Sequence, residues 1–127
     1  MKYLIYHGDL VVGWSALEYG DPSMGVAHGV FHPNESYSRF RHLYRSWFNL
    51  SGQVSSEVHE QIEALKLTAG SETGEAVAPC LAVHIIDPTD ELPEEPLEVE
   101  ILGIAWETYA RLFPDKWQMY RGDDPSE

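Results

Sequence analysis

Apolar and polar positions along the chain follow two different periods. The stretches 2–6 (KYLIY), 10–19 (LVVGWSALEY) and 26–31 (VAHGVF) are rich in β-branched and aromatic residues, which favour strands. Between them, 7–9 (HGD) and 20–25 (GDPSMG) supply glycine, aspartate and proline, the residues of turns. The pattern predicts an antiparallel meander of three strands, the second bulged at Gly13.

Beyond Pro33 the period changes. Tyr37, Phe40, Tyr44, Trp47 and Phe48 recur at steps of three and four, the spacing of one helical face. Asn34 or Ser36 can cap its start. A helix over 35–48 follows, roughly 20 Å long at the α-helical rise. The stretch 53–70 is mixed: Val54, Val58, Ile62 and Leu65 fit a helix, whereas Leu65, Leu67 and Ala69 fit a strand. We read a short helix over 55–63 running into a strand over 64–69, then a loop at 70–75. Apolar runs at 79–87 and 97–103 predict two more strands. A second aromatic helix is expected over 105–113, with Trp106, Tyr109 and Phe113 on one face and Pro114 as its stop. The polar end is expected to trail off and fray after Tyr120.

Strands are grouped rather than alternating with helices. This points to an α+β fold: a mostly antiparallel sheet of about five or six strands with two or three helices packed on one face. The length of 127 residues is that of one domain, with an acidic tail from about 121. A chain of this size can bury a core without disulfide or metal staples.

Charge sharpens the picture through its distribution. The chain carries a formal net charge of −13. Residues 1–50 are balanced, whereas residues 51–100 hold twelve acids against one base, Lys66. Phosphate binding is supplied by Lys and Arg, so this composition points away from nucleic acid and toward a cationic partner. The Pro-rich stretch 88–96 between the last two strands is expected to be an exposed acidic loop. We take Asp87, Asp90, Glu91, Glu94, Glu95, Glu98 and Glu100 as the candidate partner-binding residues. Glu98 and Glu100 share one face of their strand, with Val99 and Ile101 on the other.

Candidate chemistry is sparse. His28 and His32 stand four apart, the spacing of a helical metal clasp. Gly25, Gly29, Val26 and Val30 favour a strand instead, where that spacing separates Cα atoms by about 13 Å. The pair is too far apart to share an ion. His28 could be joined only by His7 or His84 from neighbouring strands. The strand reading leaves Gly25, Ala27, Gly29 and Phe31 on a nearly bare face, which the following aromatic helix could approach. Cys80 and His84 fail as a thiolate–imidazole pair by the same distance argument, and Cys80 reads as a buried structural cysteine. The single cysteine excludes an internal disulfide. GWSAL (13–17) lacks the second glycine of a nucleophile elbow. RGD (121–123) reads as chance. No phosphate loop, dinucleotide fingerprint, zincin helix or EF-hand loop is present. No catalytic residue, metal or cofactor is therefore assigned.

The N-terminus shows no signal-peptide pattern and no apolar run reaches the ~20 residues of a membrane helix, so a cytoplasmic protein away from membranes is expected. The leading functional expectation is a non-catalytic acidic binding protein, an immunity- or antitoxin-like inhibitor of a basic toxin or nuclease. Trp47, Trp106, Trp117, Tyr109 and Tyr120 would be its aromatic anchors if exposed. One alternative is a small enzyme, or a small-molecule or metal binder, using strand histidines. Another is a structural or assembly protein. Oligomeric state stays open.

Overall fold

A computed structural model of the chain describes residues 2–47, 56–88 and 94–122. The elements run β1 (Tyr3–His7), β2 (Leu10–Ser15), β3 (Tyr19–Asp21), β4 (Val26–Val30), β5 (His32–Pro33), a 3-10 helix (Glu35–Arg39), α1 (Arg41–Trp47), α2 (Ser56–Leu65), β6 (Thr68–Ser71), β7 (Ala82–Ile86), β8 (Glu98–Leu102), α3 (Trp106–Leu112) and α4 (Pro114–Gly122). The class is α+β. In place of one sheet there are two antiparallel four-stranded sheets, ordered β5-β2-β1-β6 (sheet A) and β3-β4-β8-β7 (sheet B).

Two sheets arise because the predicted strand 10–19 breaks and changes sheet at 16–18, and because the chain leaves sheet B after Val30 and re-enters sheet A as β5. β1 and β2 join through a two-residue turn, with Gly8 at φ 61°, a torsion that glycine adopts freely. The register then shifts opposite Ile5 and Tyr6, leaving Val12 as the extra residue. The irregularity read at Gly13 thus falls one residue earlier. At residues 16–18 the chain bends from β2 in sheet A to β3 in sheet B. Leu17 takes φ 47° and is fully buried, and its amide donates to Ser15 Oγ at 3.0 Å. Gly29 on β4 makes room for this bend, because a Cβ there would lie 2.8 Å from Ser15 Oγ. The bare face of the third strand therefore receives the bend, and not the aromatic helix as anticipated. Phe31 fills the space over Gly13 and meets Tyr37 edge-on, with centroids 5.5 Å apart.

The expected helix 35–48 begins as the 3-10 helix, capped by Asn34 Oδ1 on the Ser36 amide at 2.9 Å. It becomes α-helical only from Arg41. Its aromatic face holds: Tyr37 and Tyr44 are buried, with Phe40 and Trp47 packed against the core. α2 extends two residues beyond the predicted helix and ends at Leu65, before Lys66 at φ 49°, so β6 starts later than expected. Pro114 stops α3 and also opens α4, since proline suits the first helical position. The polar C-terminal stretch is thus helical through Gly122, and residues 123–127 lie outside the described set.

The core lies between the sheets. Tyr3, Ile5, Val12 and Ala69 of sheet A face Ala27, Val83, Ile85, Val99 and Ile101 of sheet B. Helices meet sheet B at opposite ends of its strands. Tyr37 Oη donates to Asp87 just past the end of β7, and Tyr109 Oη donates to the Val26 carbonyl at the start of β4. The edge strands β6 and β7 approach one another across a seam.

Candidate functional site

Strand alternation sends Val83, Ile85, Val99, Ile101, Ala27 and Gly29 inward. The opposite face of sheet B therefore collects every polar residue of those strands. Register then makes a row. Tyr19 pairs with His28, His28 with Glu100, and Glu100 with His84. Directly opposed side chains have Cβ atoms about 4.5–5.5 Å apart. One carboxylate thus stands between two imidazoles. The Tyr19 ring stacks on His28 with centroids 5.5 Å apart, and Trp47 meets His84 edge-on at 4.9 Å. Glu63 of α2 reaches the far end, with Oε1 at 3.4 Å from His84 Nε2.

The next row sets Glu98 between Val30 and Ile86. On the other side Leu102 pairs with Ala82, beside Val26. The whole face is half-exposed, and Tyr19 is 57% exposed. Among the described residues, α1 and α2 reach it only at the β7 edge, through Trp47 and Glu63. The result is a shelf of aliphatic side chains carrying two carboxylates and two imidazoles.

The candidate acids are placed as follows. Glu98 and Glu100 lie on this face, and Glu94 and Glu95 are exposed just before it. Asp90 and Glu91 lie outside the described residues. Asp87 turns the other way. It is 1% exposed, accepts from Tyr37 Oη at 2.7 Å and sits 3.7 Å from Arg45 Nε. This bond from a buried hydroxyl to a carboxylate, charge-assisted through its acceptor, ties the 3-10 helix to the end of β7, and Arg45 of α1 lies against the same carboxylate. Burial, and then the Asp87 carboxylate, pushes the Tyr37 hydroxyl far above its ordinary pKa. Burial does the same to Tyr44, with Glu63 adding to it. Tyr44 Oη makes no hydrogen bond among the described residues.

The strand histidines divide between the sheets. His28 and His84 flank Glu100, whereas His32 stacks on Trp14 at 4.1 Å and His7 packs on Phe40. Among the described residues no three of His, Cys, Asp and Glu form a metal-holding group. No helix there is long and apolar enough to cross a membrane. Burial pushes the Cys80 thiol up, against a lowering backbone hydrogen bond with Ala82. Of the aromatic anchors, Tyr109 is fully buried, Trp47 and Trp117 are half-buried, and Trp106 and Tyr120 are exposed. Tyr19 was not singled out from sequence. Its signal is the pairing of Tyr19 with His28 across the 20–25 turn.

Comparison with protein-family models, with curated proteins and with solved structures gave no match.

Proposed function

We propose that this is a non-catalytic, acidic binding protein that acts in the cytoplasm and docks a basic protein partner on the open face of sheet B. The observation that carries the reading is the composition of that face. Glu98 and Glu100 project from its central strand amid half-exposed Val26, Val30, Ile86 and Leu102, with Tyr19 at the edge. Stable interfaces combine an apolar centre with aromatic anchors and complementary charge. The strongly negative segment 51–100 speeds encounter with a cationic surface and discriminates against acidic ones. A basic toxin or nuclease is the kind of partner this charge suits, so an inhibitory, immunity-like role is the specific form of the proposal.

The chemistry for turnover is weaker. The imidazoles face a carboxylate across a flat sheet, and no nucleophile stands beside them in the row. The test is residue-resolved. Amide shifts of the ¹⁵N-labelled protein are followed while an arginine-rich peptide with aliphatic anchors is added. Saturable shifts centred on His28, Glu98, Glu100 and His84 support the reading. Shifts scattered over all acidic segments, or centred on α3 and α4, refute it.

A further inference from the structure

The seam between β6 and β7 borders a half-open cavity of about 740 Å³ beside the last turn of α2. Ligand pockets commonly measure about 300–1,000 Å³. The space exists because the residues bordering it are small. Ala69 and Gly70 of β6, Ala76 and Ala78 of the intervening loop, and Ala82 of β7 all line it. Ile62, Leu67, Val77 and Val83 supply aliphatic walls.

Charged groups stand at its rim. Glu63 and Asp9 contribute two carboxylates against the single ammonium of Lys66. Glu63 Oε1 also lies 3.4 Å from His84 Nε2 and 4.0 Å from His59 Nε2. The Gly8–Asp9 turn is next to Lys66 because Tyr6 pairs with Thr68. Cys80 lines the cavity too, with its thiol pKa raised by burial. A thiol held neutral is a poor nucleophile, which makes this a space for holding a molecule rather than for reacting with one.

We propose that this cavity, which adjoins the β7 edge of the open face of sheet B and shares Glu63, Ala82 and His84 with it, is a second binding site, for a small amphipathic organic cation. An apolar body fits between β6 and β7 against Ile62, Leu67 and Val83. Its ammonium group meets the Glu63 carboxylate at the rim, with Asp9 adding to the negative field. The protein's overall charge of −13 favours a cation over an anion at such a mouth. The unshared lining residues Ala69, Gly70 and Val77 separate this site from the partner-binding reading, which invokes none of them.

Three probes of equal length separate the alternatives: octylamine, octanol and octanoate. Binding is read by calorimetry and by amide shifts. The expected result is saturable binding of octylamine, with shifts at Ala69, Gly70, Val77 and Val83, and weaker binding of octanol. Glu63→Gln should weaken octylamine by about five-fold, the worth of one exposed ion pair, and leave octanol unchanged. Ala76 is exposed in the loop, so Ala76→Trp should block all binding at an unchanged melting temperature. A second variant, Ala82→Leu, narrows the cavity from the β7 side should the first disturb the loop. The proposal is overturned if octanoate binds as tightly as octylamine, if Glu63→Gln leaves octylamine affinity unchanged, or if no probe shifts the cavity residues.

Discussion

The two sheets turn very different outer faces to solvent. On sheet A, Lys2 lies over Trp14 at 4.5 Å and Trp14 stacks on His32 at 4.1 Å. That ammonium lies over a ring, and the outward strand positions Leu4, Tyr6 and Thr68 are uncharged, with Glu72 beside Lys2 just past β6. On sheet B, Glu98 and Glu100 stand on the central strand with an imidazole on each side of Glu100. Sheet A sets Lys2 at its margin, with the ammonium over Trp14 and Glu72 accepting from the Lys2 amide. Sheet B leaves carboxylates facing outward among aliphatic side chains. Similar strand lengths and the same antiparallel pairing thus give one face with its charges at the margin and one with carboxylates on a central strand. The difference follows from which residues alternate outward, and not from the fold.

That difference extends within the acidic segment itself, and the largest expected effect tests it. Asp87 should matter for folding, and Glu98 and Glu100 for binding. Asp87→Ala removes the acceptor of Tyr37 and the partner of Arg45 in a buried site. A loss of roughly 3–5 kcal/mol is expected, measured by urea unfolding. Glu98→Gln with Glu100→Gln should stay within about 1 kcal/mol of the parent. Equal stabilities for the two variants would erase the distinction between buried and presented acids.

Next in size is the packing on sheet A. Trp14→Ala removes the ring shared by Lys2 and His32. It should cost about 1–3 kcal/mol, the scale of a partly buried aromatic, while leaving affinity for a cationic peptide unchanged. A change in affinity would show that sheet A takes part in binding.

Alkaline pH gives a smaller and more diffuse effect. Burial raises the hydroxyls of Tyr3, Tyr37 and Tyr44, and raises Tyr109 to about 12. For Tyr109, Asp21 adds to the burial effect. A group with a raised folded pKa stabilises the fold fully below its unfolded value, near 10 for tyrosine. Stability should therefore be level in this respect up to about pH 10, then fall as pH rises toward 12. Ultraviolet titration of tyrosinate alongside circular dichroism checks this. Complete tyrosine ionisation with the fold intact below pH 11 would contradict it.

Much of the fold was legible where pattern and chemistry agreed. The aromatic period from Tyr37 to Trp47, the turns at Gly8 and 20–25, and the strand character of His28 all came from local rules. What was not legible depended on pairing. Nothing local marks Leu17 as a bend, since its left-handed torsion is held by burial and by the Ser15 hydroxyl. That bend makes two sheets out of one. Pro114 read as a stop, although the same restricted torsion also starts a helix. Asp87 looked like the first acid of an exposed loop. Its partner Tyr37 stands fifty residues earlier, so its burial could not be seen from its neighbours. Glu98 and Glu100 did read as one face of a strand. The imidazoles that flank Glu100 come from strands brought together only by the register.

The most direct test of the proposed partner-binding face is affinity for an arginine-rich polypeptide as a function of salt. The parent is compared with Glu98→Lys/Glu100→Lys on sheet B and with Lys2→Glu on sheet A. The account predicts at least about a ten-fold weaker complex for the sheet B variant, a flatter salt dependence, and a change under two-fold for the sheet A variant. Unchanged affinity in the sheet B variant at low salt, with its fold intact, would contradict it.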